Sequence, residues 1–86
     1  MSALLPIRVT VLDTWDEVPL EVSPATPLAE VKRAALAQSG VRHPAAEYVL
    51  KYNGAELFEP GMTLGDAGVK PHAALIVLRR RRIPVR

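Results

Sequence analysis

A chain of 86 residues, 49 % hydrophobic and 23 % charged, holds one hydrophobic core and no more, so a single domain burying roughly 60–65 % of its unfolded surface is expected. It contains no cysteine, which excludes a disulfide framework, a thiolate nucleophile and a cysteine-bound structural zinc, and leaves packing to hold the fold. The formal charge of +2 hides an asymmetry, because Arg79, Arg80, Arg81, Arg82 and Arg86 lie in the last eight residues and the remainder has six bases against nine acids, a net −3; an acidic body with a basic tail differs from a domain with a basic face.

The opening stretch, MSALLPIRV, lacks the charged start and long apolar segment of a secretory signal. The longest apolar run, Ala73 to Leu78, is too short to cross a bilayer, so a cytoplasmic, non-membrane-spanning protein is expected. Ile7, Val9 and Val11 alternate with Arg8, Thr10 and Leu12, the period of a strand with one buried face. Past Asp13–Glu17 the alternation resumes at Val18, Leu20 and Val22, which predicts a hairpin. Pro19 marks its second strand as an edge, since proline cannot donate to a ladder.

Thr26-Pro27 predicts a helix start, with the threonine capping and the proline at the first helical position. Leu28, Val31 and Ala35 form its apolar stripe, Glu30, Lys32 and Arg33 occupy the other sides, and Gly40 supplies a left-handed stop. Tyr48, Leu50 and Tyr52 alternate through a third strand, and Asn53-Gly54 predicts a two-residue turn into a short fourth. Thr63 to Gly68 reads as a capped single helical turn, and Leu75 and Val77 alternate with Ile76 and Leu78 in a closing strand. The expected organisation is one domain, 1–78, followed by a basic tail, 79–86.

This order, over about residues 7 to 82, resembles the ubiquitin-like β-grasp family. LEVSPATPLAEVK (Leu20 to Lys32) looks like the second strand and helix entry of ubiquitin, and TLGDAGV (Thr63 to Val69) is similar to the family's Thr-Leu-x-Asp-x-x-Ile turn. The resemblance implies an α+β fold, a mixed sheet of four to five strands with one helix packed on one face. Length and an Ala-, Pro- and Arg-rich composition look like the small bacterial ubiquitin-like proteins, including those encoded with type VII secretion systems and those of oxygenase assemblies. Conjugating members and sulfur carriers end in Gly-Gly, whereas this sequence reads RRRRIPVR and has no glycine after Gly68. A glycine carboxylate has to thread a narrow channel to be adenylated, and Pro84 would obstruct it, so conjugation of the sequence as it stands is not expected.

Nothing in the sequence points to catalysis: there is no G-x-S-x-G elbow and no phosphate loop. His43 and His72 stand 29 positions apart with no ligand cluster around them, and read as loop histidines. Asp13, Asp16 and Glu17 crowd one loop without the spacing of a calcium site. No catalytic residue, metal or cofactor is expected. If Ile7, Val9, Val11, Leu50, Leu75 and Val77 face the helix, then Leu12, Val49, Ile76 and Leu78 face the other way, with Arg8 and Lys51 around them. By resemblance Val49, Ile76 and Leu78 match ubiquitin's apolar recognition patch, with a register slip to Lys51 left open.

An apolar patch with a basic rim marks a protein-binding face; the competing reading is packing beneath Ala3, Leu4, Leu5 and Pro6, or a weak homodimer contact. Trp15, at the first hairpin tip, is either a binding anchor or folded back onto the sheet. Arg79, Arg80, Arg81 and Arg82 suit an acidic partner or phosphates, or serve solubility alone. The expected function is an adaptor that binds a larger protein, a secretion-system or enzyme-complex component, through the open sheet face and arginine tail. The alternatives are a modifier or precursor in a bacterial conjugation pathway with a processed or unusual C-terminus, and a tail-driven binder of nucleic acid or anionic membrane. Nucleic acid is disfavoured because the acidic body repels phosphate.

Overall fold

The computed structural model describes residues 4–57, 59 and 61–79. The strands are β1 (Leu5–Val11), β2 (Asp16–Val22), β3 (Tyr48–Tyr52), β4 (Ala55–Glu56) and β5 (Ala73–Arg79), and the helix is α1 (Leu28–Gln38). They make one sheet in the order β2-β1-β5-β3-β4, in which β1 and β5 are parallel and the other pairs antiparallel. The expected α+β architecture of one helix on one face of a mixed sheet is therefore present. β1 starts two residues earlier than its alternation suggests: Leu5 pairs with Val22 and enters the core. β2 is an edge, as Pro19 required, and Pro19 lies opposite Arg8.

Period-two geometry divides the sheet. Ile7, Val9, Val11, Leu50, Leu75 and Val77 are all buried in one cluster, joined by Val18, Leu20 and Tyr48, and α1 lays Leu28, Val31, Ala35 and Leu36 against it. Leu64 and Val69 close the same core from the segment before β5. Burying each valine, leucine or isoleucine of this cluster contributes about 1.5–3 kcal/mol.

The helix entrance differs from the expectation. Pro27, in extended conformation (ψ 143°), is the cap residue, Leu28 begins the helix, and no side chain caps it. Thr26 is used otherwise: its carbonyl accepts the Leu64 N–H, while the Leu28 N–H donates to Met62, so the helix start is stitched to the later loop. The exit matches. Gly40 (φ +75°) donates to the Ala37 carbonyl and Val41 to that of Leu36, the doubly bonded left-handed ending. Asn53 (φ +53°) and Gly54 (φ +80°) give the both-positive turn that joins β3 to β4.

Thr63 and Asp66 cap one another reciprocally, each backbone N–H donating to the other's side chain at 3.1 Å. The segment stays a hydrogen-bonded turn instead of a helix and ends where Gly68 takes φ +75°.

Candidate functional site

Side chains at alternate positions of β1 and β5 leave the core and form the sheet face opposite α1. The register sets out one row across all five strands: Glu17, Thr10, Ile76, Lys51 and Glu56. The adjoining row carries Pro19, Arg8 and Ala74. Ile76, on the central strand, is thus flanked by the small Thr10 and Ala74 and by the cation of Lys51. It is 40 % exposed, while its neighbours Leu75 and Val77 are fully buried. Leu78 and Leu12 are half-buried; Leu12 lies just past β1, in the turn, its N–H donating to Val77.

Val49 corrects the expected patch. It sits on this face, directly opposite Leu78, but is only 5 % exposed and stands outside the core cluster, so its methyl groups are covered on the side away from the helix. Strand position does not account for this, because β4 pairs only with Lys51 and Tyr52 and Ile76 on the central strand stays exposed on the same face. Lys51, not Val49, pairs with Ile76. The accessible surface is therefore Ile76 with Leu78 and Leu12, rimmed by Arg8 and Lys51. The N-terminal segment does not lie over it as far as it is described, since Leu5 and Pro6 belong to β1 and Leu4 is exposed.

Trp15 does not fold back: it is 79 % exposed. It closes the β1–β2 turn with φ +57°, a left-handed conformation that disfavours any residue with a Cβ. The turn beneath it is tethered. The Tyr48 hydroxyl, buried in the core, donates to Asp13 Oδ2 at 2.5 Å, and burial, reinforced by that hydrogen bond and the carboxylate's charge, pushes the tyrosine pKa up to about 12. Asp13 is thereby committed to structure, and Glu17 lies 3.7 Å from Arg8, so the acidic loop is not a shared cation cage.

Sequence reasoning also missed Lys32. Assigned to an outer side of the helix, it is buried: Nζ donates to the Tyr48 carbonyl at 2.9 Å and pairs with Glu59 Oε1 at 2.6 Å. Its position one residue after Val31 and three before Ala35 puts it beside the apolar stripe, the only available signal.

Arg79 is the last residue of β5 and not the first of a free tail. Its guanidinium donates to Glu47 at 2.8 Å, which together with nearby negative charge holds it above its ordinary pKa, and it lies 3.4 Å from His43 Nδ1. His72, exposed with φ +65°, borders a shallow groove instead. Arg80, Arg81 and Arg82 lie outside the described residues. Among the described residues no three His, Asp or Glu side chains gather as metal ligands, and no helix is long and apolar enough to cross a membrane.

No family model matches the sequence, and no curated protein matches it. Solved structures do match. A designed protein based on ubiquitin superposes with a TM-score of 0.78 at 21 % identity, covering 98 % of each chain. The ubiquitin of Caldiarchaeum subterraneum gives 0.77 at 20 % identity, covering 95 % of this chain and 99 % of that one. Identity at this level speaks for architecture alone, and the architecture is the ubiquitin-like β-grasp.

Proposed function

We propose that this chain is a non-catalytic adaptor that docks on a larger protein through the sheet face opposite its helix. The observation that carries the reading is Ile76, a large aliphatic side chain 40 % exposed at the centre of that face while Leu75 and Val77 on either side are fully buried. With Leu78, Leu12, Arg8 and Lys51 it makes an apolar centre with a cationic rim, the composition of a recognition surface. The titratable groups that burial brings together, Tyr48 with Asp13 and Lys32 with Glu59, hold the fold together, which supports a binding over a catalytic role. The resemblance to small bacterial ubiquitin-like proteins supports a cytoplasmic secretion-system or enzyme-assembly component as the partner.

The test compares Ile76→Asp with Leu75→Asp. Ile76→Asp is expected to keep the unfolding midpoint and lose the partners that the immobilised wild-type chain retains from its host's extract. Leu75→Asp buries an unpaired carboxylate and is expected to unfold the domain. Retention of the same partners by Ile76→Asp rejects the reading. Intact mass of the protein from its host separates an adaptor from a modifier, which would be found trimmed or attached to other proteins.

A further inference from the structure

The first hairpin carries a protruding feature at one end and a recess at the other. At the tip, Trp15 holds its indole out in solvent on a left-handed backbone, flanked by the exposed acids Asp16 and Glu17, with Asp13 beneath it anchored to Tyr48. A tryptophan left 79 % exposed returns little to the fold for the strain of that conformation, and a strained, exposed aromatic side chain points to contact with another molecule.

At the base, where Pro6 pairs with Glu21, a shallow groove of about 430 Å³ is lined by Pro6, Arg8, Pro19, Glu21 and His72, and bordered by Ile7 and Leu20, whose side chains are buried in the core. Its chemistry suits an indole. Two proline rings offer flat apolar walls, Arg8 offers a guanidinium for the aromatic face once it exchanges its exposed 3.7 Å pairing with Glu17, and Glu21 offers an acceptor for the indole N–H. Arg8 and His72 also present hydrogen-bond donors to carboxylates such as that of Asp16. A chain cannot fill its own groove, because Pro6 and Val11 sit five residues apart on one extended strand, about 17 Å.

We propose that Trp15 of one copy inserts into the Pro6–Pro19–Arg8 groove of a second copy, joining chains tip to base. The contact is heterologous, so it propagates or closes into a ring instead of stopping at a two-fold dimer. It goes beyond the adaptor reading; Ile76 itself lies outside the contact, while Arg8, which also rims the Ile76 surface, takes part in it.

The sole tryptophan makes the contact directly readable. Sedimentation velocity and tryptophan emission are measured on the full chain over a concentration series at low and high salt, for wild type, Trp15→Ala, Arg8→Glu and Ile76→Asp. All three substitutions are at exposed side chains, and unchanged unfolding midpoints confirm that folding is intact. Wild type and Ile76→Asp are expected to grow in mass with concentration, with blue-shifting emission and weaker association in salt, while Trp15→Ala and Arg8→Glu stay monomeric. Mixing the two monomeric variants is decisive: Trp15→Ala supplies an intact groove and no fluorophore, Arg8→Glu supplies an intact tip, and the mixture is expected to form a one-to-one pair with blue-shifted emission.

A wild type that remains monomeric at millimolar concentration in low salt overturns the proposal, as does association that survives Trp15→Ala. Association lost in Ile76→Asp but kept in Arg8→Glu overturns the groove as the landing site. A monomeric wild type whose capture of a different protein needs Trp15 overturns self-docking and assigns the tip to that protein.

Discussion

Replacing Lys32 with alanine tests whether a charge hidden on the helix is part of the fold. The ammonium sits 2.6 Å from Glu59 and 2.9 Å from the Tyr48 carbonyl, and only 7 % of the lysine side chain and 17 % of the glutamate side chain meet solvent. Removing one partner of a buried pair costs about 3–5 kcal/mol, because the other charge is left uncompensated. Here Glu59 keeps some solvent contact and can turn toward it, which puts the expected loss at the lower end, about 3 kcal/mol. Against a total of roughly 4–13 kcal/mol for a chain this size, that is a large fraction.

Urea denaturation of Lys32→Ala, Glu59→Ala and the double variant separates the terms. Lys32→Ala and Glu59→Ala are expected to lose comparable amounts, since Glu59→Ala strands the more deeply buried charge but leaves it the Tyr48 carbonyl. The Lys32→Met, Glu59→Leu pair, which removes both charges and keeps volume, is expected to recover most of the loss. A coupling energy of about 1–3 kcal/mol between positions 32 and 59 is expected from the cycle. A Lys32→Ala loss below about 0.5 kcal/mol, the range of ordinary surface substitutions, refutes the buried pairing.

Alkaline pH provides a second handle. Tyr48 is neutral in the folded state up to a pKa of about 12, against 10.0 for the free side chain. A tyrosine held protonated stabilises the fold fully below the unfolded pKa, and that contribution is lost as pH rises from about 10 to about 12; Tyr48→Phe is expected to remove this part of the pH dependence, measured as denaturation midpoint against pH. Left-handed backbone supplies a pair of opposite predictions. At Gly40 a Cβ would meet nothing within 4 Å, so Gly40→Ala is expected to cost about 1 kcal/mol through backbone strain alone. At Trp15 the strain is already present, so Trp15→Gly is expected to gain about 0.5–1 kcal/mol in the same assay, net of the greater freedom of the unfolded glycine.

The fold is legible where one residue type answers one geometric demand. Alternation in Ile7–Val11 and Leu75–Val77 found the strands and their buried faces; Pro19 found the edge; Gly40 and Asn53-Gly54 found the points where the backbone turns left-handed. Legibility fails where a residue's role is set by distant chain. Thr26-Pro27 has the chemistry of a threonine cap, yet its carbonyl is drawn into a bridge with the Thr63 segment, and that long-range pairing moves the cap to Pro27. Lys32 looks like a solvent-facing cation until Glu59, 27 positions later, arrives beside it.

The same division runs through the candidate site. Ile76 could be placed because its orientation follows from Leu75 by strand periodicity, a local rule. Val49 obeys the same rule and points to the same face, but it is 5 % exposed against 40 % for Ile76, a difference set by how the rest of the chain packs, which periodicity does not encode. Direction is therefore readable from a strand's own residues, and accessibility only from its neighbours. Trp15 shows the point in reverse. Its sequence position predicted a hairpin tip and left its side chain undecided; the turn, tied to Tyr48 through Asp13 and closed in a conformation that glycine would favour, holds the indole away from the sheet. A side chain kept exposed at an energetic cost is better explained by contact with another molecule than by the stability of its own, and the strain at Trp15 is the part of that argument most directly open to measurement.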